Sequence, residues 1–327
     1  MVLVRQKLQR NSLLSLPELK ICDSSPFPNP NPNHNPSSVS NIITHQAVVT
    51  DFSDLEKLWV IGHGNHGIVY KVRQRSTSAI YALKMVQQED TNAVSHETEI
   101  LTCTDSPFTI KCYGIFEPRA GEKAILMEYM DGGTLDTALS SNGPFPEALL
   151  VDVAKQVLNG LNYLHAHNIV HLDIKPSNLL ISNGMKVKIG DFGVSRIVND
   201  NDTRNYENLG SRGTYAYMSP ERLDSQTFGS GYVYAGDVWS LGVSLWELYV
   251  GHFPFFEDAR TTRPSWMELV MVICYGEFPC LPNKASQEFG SFLKCCLERE
   301  PSKRWNVSQL LSHPFIGMER EAISWCV

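Results

Sequence analysis

The sequence predicts an α+β chain in which a small antiparallel sheet with one helix precedes a larger, mainly helical part. Three observations carry this. Alternating, β-branched stretches flank a glycine-rich turn at 62–67. A third apolar stretch, 81–86, holds one lysine and runs into a segment of helical character. A polar segment at 169–193 then leads to a long apolar stretch at 238–256.

The composition is that of a globular chain with a real core: 43% hydrophobic and 19% charged over 327 residues. Lys plus Arg is 28 against 35 Asp plus Glu, a net charge of −7. That balance argues against gripping nucleic acid or anionic lipid through the overall field. The eight cysteines form no CxxC pair, and Cys295 and Cys296 are adjacent, so they read as reduced thiols of an intracellular protein. Leu13-Leu14-Ser15-Leu16 is too short for a signal-peptide core. Met1-Val2 lacks the glycine of myristoylation, and Cys326 is misplaced for prenylation. The stretch 238–256 contains Glu247 and is broken by Gly251 and Pro254, so a buried helix is expected rather than a membrane span.

Residues 1–50 read as a tail. Pro26 to Ser38 is Pro/Asn-rich, and such a tract stays extended and solvated. Ahead of it Arg5, Lys7 and Arg10 are followed by Leu13, Leu14, Leu16 and Leu19. A basic cluster followed by leucines suits docking on an acidic, grooved partner; an ordinary disordered tail is the other reading.

Order is expected from about Phe52. Residues 58–61 read as a strand, then Gly62-His63-Gly64-Asn65-His66-Gly67, then residues 68–72 as a second strand. A dinucleotide-binding loop should open a helix, and a Walker A loop needs Gly-Lys-Ser/Thr; neither follows here. A hairpin whose glycine amides close over phosphates fits best, with a plain glycine turn as the alternative. His63 and His66 read as surface loop residues. In Tyr81-Ala82-Leu83-Lys84-Met85-Val86 a lysine inside an apolar strand is costly unless its ammonium meets anions. Phosphates would be those anions, and the helical segment 92–102 offers Glu97 and Glu99 to hold the lysine in place.

The segment from His171 to Gly193 concentrates the chemistry: His171-Leu172-Asp173-Ile174-Lys175-Pro176-Ser177-Asn178, then Asp191-Phe192-Gly193. Phosphoryl transfer needs a positioned acceptor, charge neutralisation and metal ligands more than covalent chemistry. Asp173 can accept a hydroxyl proton and Lys175 can neutralise the transferring group. Asn178 and Asp191 offer oxygen to Mg²⁺.

With these motifs in order, residues 52–317 resemble the protein kinase family. The resemblance implies a bilobal fold: N-lobe 51–130, C-lobe 131–317 and a short tail 318–327, with ATP and Mg²⁺ in the cleft. It implies Lys84 paired with Glu97 (Glu99 being the alternative in register), and a phosphate loop at Gly62, Gly64 and Gly67. Adenine would lie between Ile61, Val69, Ala82 and Leu180, beside a hinge of Met127, Glu128 and Met130, with Met127 as gatekeeper. It also implies a buried structural pair, Glu221–Arg304.

Lys175, Gly132-Gly133-Thr134-Leu135 and Gly213-Thr214-Tyr215-Ala216-Tyr217-Met218-Ser219-Pro220-Glu221 look like mitogen-activated protein (MAP) kinase kinases, especially plant ones. That resemblance implies dual specificity for the Thr and Tyr of a MAP kinase loop. It turns the tail into a docking segment through Arg5, Lys7, Arg10, Leu14 and Leu16, adds an upstream kinase, and implies a cytoplasmic protein with the nucleus as second compartment. Two departures concern control. Leu172 stands where the family has an arginine that meets an activation-loop phosphate. The two expected phosphosites fall on Arg204 and Gly210; Thr203, Tyr206 and Ser211 are out of register. An activation loop not switched by dual phosphorylation is expected. The alternative is a catalytically weak kinase-fold scaffold that binds MAP kinases, but Lys84, Glu97, Asp173, Lys175, Asn178 and Asp191 are all present.

Overall fold

Strand-forming sequence fills the first third of the ordered chain, and helix-forming sequence fills the rest. The computed structural model describes residues 49, 51–64, 67–87, 91–198, 213–229, 231–256, 264–281 and 284–318. Arg5, Lys7, Arg10, Leu14, Leu16, His66, Thr203, Arg204, Tyr206, Gly210 and Ser211 lie outside the described residues.

β1 (Leu55–Gly64) and β2 (Gly67–Gln74) form the expected hairpin, and β3 (Ile80–Gln87) pairs antiparallel with β2. After α1 (Thr91–Cys103), β4 (Cys112–Arg119) and β5 (Glu122–Glu128) complete a five-stranded sheet in the order β1-β2-β3-β5-β4. The described residues fall into two compact units, one drawn from Met1–Gln87 and Tyr113–Leu126, the other from Gln88–Cys112 and Met127–Val327. By its contacts α1 thus belongs to the second unit.

In the first unit the period-two alternation of β3 sorts its side chains. Tyr81, Leu83 and Met85 join Leu55, Val72, Phe116, Ala124 and Leu126 in an apolar core on one face. Ala82, Lys84 and Val86 fall on the other face. Val60 pairs with Tyr70 and Gly62 with Val69, so Ile61 is the extra residue of a β-bulge. Gly67 has φ 153°, and a Cβ there would meet the Met85 carbonyl oxygen at 2.1 Å. Only glycine lets β2 start this close to β3.

The second unit follows with α2 (Leu135–Asn142), α3 (Glu147–Ala166), β6 (Ile169–Val170), β7 (Leu179–Ile181), β8 (Val187–Ile189) and β9 (Arg196–Ile197). Thr134 and Thr137 form a capping box that starts α2. The short strands pair antiparallel as β6–β9 and β7–β8. Helices α4 (Pro220–Leu223), α5 (Ser225–Phe228), α6 (Ala235–Val250), α7 (Trp266–Val270), α8 (Gln287–Cys296) and α9 (Val307–Leu311) complete the unit.

α6 explains the long apolar stretch. It packs between α3 and α8 and is buried on nearly every side, so its apolar residues face protein. Gly251, at φ 89°, ends it in the left-handed conformation and donates its N–H to the Glu247 carbonyl. Glu247 itself accepts from the Tyr217 hydroxyl at 2.6 Å. No helix of the described residues is long and apolar enough to cross a membrane.

The expected Glu221–Arg304 pair is present and fully buried. The guanidinium fork donates to both carboxylate oxygens, at 2.7 and 2.9 Å. Nη1 also donates to the Ala235 carbonyl at 2.9 Å, and Nε donates to the Glu298 carbonyl at 2.8 Å. The pair ties α4 to the chain just before α9. Removing one partner strands a buried charge, so Arg304→Met should cost about 3–5 kcal/mol. Paired with Glu221→Leu it should cost clearly less, read by chemical denaturation; equal losses would refute the pairing as the cause.

Candidate active site

The ladders β6–β9 and β7–β8 set two loops side by side: residues 171–178 between β6 and β7, and residues 190–195 between β8 and β9. Cross-bonds lock the loops together. His171 Nε2 lies 3.0 Å from the Gly190 carbonyl oxygen, and Ser195 Oγ donates to the His171 carbonyl at 3.0 Å. The Gly190 N–H donates to the Asn178 carbonyl at 2.9 Å, which brings the residue before Asp191 onto the Asn178 turn.

Asp173 is buried and fully engaged. Lys175 Nζ lies 2.8 Å from its Oδ2, and Asn178 Nδ2 donates to the same oxygen at 2.9 Å and to the Asp173 carbonyl at 2.8 Å. The Thr214 N–H donates to Oδ1 at 2.8 Å, while Lys175 Nζ donates to Thr214 Oγ1 at 2.5 Å. Asp173, Lys175 and Asn178 therefore come together as the sequence suggests. Thr214, supplied from 41 residues downstream, joins them.

The chain reaches this geometry through Asp237, in the first turn of α6. Its carboxylate accepts the N–H groups of His171 and Leu172, at 2.9 and 2.8 Å, and contacts His165 Nε2 at 3.0 Å. These bonds hold Leu172 at φ 69°. The Leu172 side chain sits in an apolar cluster with Val170, Val198 and Val233. Its carbonyl accepts from Arg222 at 2.8 Å, and a Cβ on Gly213 (φ 99°) would meet the same oxygen at 2.6 Å. Sequence reasoning missed the roles of Asp237, His171 and Thr214. Thr214 stood inside a quoted motif, but nothing in the sequence says that its amide reaches Asp173.

The remaining candidates divide between the units. In the first, Val69 pairs directly with Lys84, and Gly62 with Val69, so these residues share with Ala82 the sheet face opposite the core. The bulge delivers Ile61 beside them. Lys84 is buried, Ile61 is exposed and Gly64 closes the hairpin by pairing with Gly67. In the second unit Glu97 is buried on α1 and Glu99 is exposed on it. Glu128 accepts from Lys188 Nζ at 2.7 Å, and its N–H donates to Lys111. Gly132 and Gly133 bond to Ile181 of β7, which sets the stretch after Met130 beside Leu180.

The donor set suits a hard divalent cation. Asn178 commits its amide nitrogen to Asp173, so its Oδ1 is the atom left for a cation. Asp191 is exposed at φ 58°. Among the described residues no group of three or more His, Cys, Asp or Glu converges. One carboxylate and one amide oxygen match Mg²⁺, which takes its other ligands from phosphate and water.

Burial alone would raise the Asp173 carboxyl. The Lys175 ammonium, the hydrogen bonds from Lys175 and Thr214 and the charge of His171 outweigh it only together, and hold the carboxyl below its ordinary value. A lowered pKa keeps Asp173 ionised as pH falls through the usual aspartate range near about 3.9. Lys175→Met leaves burial less opposed, so the acid limb of the kcat–pH profile should move to higher pH. A limb that stays in place while kcat falls would assign that titration elsewhere.

Residues 55–316 match the protein kinase domain family. Mitogen-activated protein kinase kinase 9 of Arabidopsis thaliana is 49% identical over 97% of this chain and 99% of its own. Mitogen-activated protein kinase kinase 7 of the same plant is 46% identical over the same shares. The dual specificity mitogen-activated protein kinase kinase dSOR1 of Drosophila melanogaster is 38% identical over 80% of this chain and 70% of its own.

Proposed function

Because this chain belongs to the protein kinase family, and within it to the mitogen-activated protein kinase kinases, we propose that the Asp173 network carries the phosphoryl transfer. The protein is an ATP-dependent dual-specificity kinase that phosphorylates the Thr and Tyr of a MAP kinase activation loop. The observation behind the residue assignment is the convergence of Lys175, Asn178 and Thr214 on one carboxylate.

In this reading Asp173 takes the proton of the acceptor hydroxyl, with one oxygen held by Asn178 and Lys175 and the other by Thr214. Lys175, already between Asp173 and Thr214, lies where negative charge develops on the transferring group. Asn178 and Asp191 hold Mg²⁺. By the family resemblance Lys84 and Glu97 are assigned to the phosphates, with Gly62, Gly64 and Gly67 as the phosphate loop. The same resemblance assigns Ile61, Val69, Ala82, Leu180, Met127, Glu128 and Met130 to the adenine. Bound Mg-ATP supplies the phosphoryl group and the cationic charge that neutralises it.

Three finer readings belong to the same proposal. Arg5, Lys7, Arg10, Leu14 and Leu16 dock the MAP kinase, on the strength of their charge and spacing. An upstream kinase does not switch the enzyme by the usual two phosphates. This is supported by the apolar seat of Leu172, which offers no charge to a phosphate. The cytoplasm is the main compartment and the nucleus the second, a reading that rests on the family resemblance and is open to imaging of a fluorescent fusion.

One assay tests the core. Wild type and Asp173→Ala are incubated with Mg-ATP and MAP kinases whose own sites are disabled, and phosphate is mapped on the Thr-x-Tyr loop. Wild type should label both residues, and Asp173→Ala should lose at least about 100-fold. No label from either protein on any MAP kinase would favour the scaffold. In a second arm, phosphatase treatment of wild type should leave its rate nearly unchanged; a large loss would refute the control reading.

A further inference from the structure

The backbone at Leu172 is clamped from two sides, and one half of the clamp lies outside the Asp173 network. On one side Asp237 accepts the N–H groups of His171 and Leu172. On the other, Arg222 Nη1 donates to the Leu172 carbonyl at 2.8 Å. Between them Leu172 stands at φ 69°, a left-handed conformation that a leucine keeps only where its surroundings hold it. The bonded carbonyl belongs to the planar peptide that ends in the Asp173 Cα, so holding its oxygen orients the aspartate. The N–H of the same peptide donates to His171 Nδ1 at 3.3 Å.

Arg222 reaches this carbonyl because α4 is fixed from behind. The helix spans four residues, too few to hold itself together. Glu221, the neighbour of Arg222, is gripped by the buried Arg304 fork. The Arg222 N–H donates to the Ser219 carbonyl at 3.0 Å. The half-buried side chain thus carries its guanidinium to a residue 50 positions upstream. Leu172 has no charge of its own, and the cation on its carbonyl comes from α4.

Gly213 completes the junction. A Cβ there would lie 2.6 Å from the Leu172 oxygen, 3.4 Å from Asp173 Oδ1 and 3.6 Å from Arg222 Nη2. The next residue, Thr214, donates its N–H to Asp173 Oδ1 and accepts from Lys175 Nζ on Oγ1. One oxygen atom therefore sits between the peptide that carries Asp173 and the glycine that carries Thr214. We propose that Arg222 is a positioning residue for the phosphoryl transfer, holding the Leu172 carbonyl so that the Asp173 carboxylate and the Thr214 amide meet. This rests on the kinase reading above and deepens it. Arg222 acts through the backbone, not on either substrate, so its loss shows in turnover rather than in binding.

The test compares full-length wild type, Arg222→Met, Arg222→Lys, Gly213→Ala and the double variant Arg222→Met/Gly213→Ala, with Mg-ATP and a MAP kinase that wild type phosphorylates. Arg222→Met should lower kcat about 10- to 100-fold, with KM for ATP and for the MAP kinase within about two-fold of wild type. Arg222→Lys keeps a donor for the carbonyl and should recover most of the lost kcat. Gly213→Ala pushes on the same oxygen and should also lower kcat. The double variant should fall no further than the slower single variant, because both act at one junction. Calorimetric titration with Mg-ADP should give every variant the stoichiometry and Kd of wild type. A wild-type kcat in Arg222→Met overturns the positioning role and leaves the kinase reading standing. A stoichiometry that falls in step with kcat makes Arg222 a folding residue and overturns it. Equal losses in the lysine and methionine variants, or additive losses in the double variant, also overturn it. A wild type inactive on every MAP kinase removes the kinase reading and this inference together.

Discussion

The site depends on one buried carboxylate. Asp237 sits in the first turn of α6, where the helix N-terminus favours negative charge, and it accepts two successive backbone N–H groups from the loop that ends in Asp173. Burial works against its charge. The bond and charge of His165, the nearby His171 and the backbone bond outweigh burial and hold its carboxyl below the ordinary value. A leucine at φ 69° costs on the order of 1–3 kcal/mol, which the surrounding bonds must offset. With the backbone turned this way, the Asp173 carboxylate faces Asn178, Lys175 and Thr214 at once. Without the turn, the same residues would be a set of polar groups on a loop with no shared focus.

Much of the site could be read in advance, because its signals are local. The alternation of Tyr81, Leu83 and Met85 with Ala82, Lys84 and Val86 is visible in six residues, and the structure keeps it. The spacing Asp173–Lys175–Asn178 survives as a turn in which all three touch. Glu221–Arg304 became legible through the family resemblance, since a pair 83 residues apart leaves no local trace. What stayed hidden is register and long-range closure. The bulge at Ile61 depends on how β1 is offset against β2. Asp237 and Thr214 reach the catalytic loop from tens of residues away. The π-turn at Met271–Tyr275 has no composition signature, because any apolar helical run could be written with those residues.

The placement of α1 shows a similar limit. Its sequence says helix, and it is a helix, but its contacts group it with β9 and the second unit rather than with the sheet it follows. Sequence order suggests neighbours, whereas packing decides them. Glu97 is buried on that helix while Glu99 faces solvent, a difference that pattern alone left open.

Leu172 has a consequence of another kind. Its side chain is held by Val170, Val198 and Val233. A charged residue in such a place can be answered by a group that other enzymes attach and strip away. A methyl-against-methyl contact carries no such mark: nothing can be written onto it and nothing erased from it. Translation alone decides that contact, and no later chemistry on these side chains adds to it or takes from it.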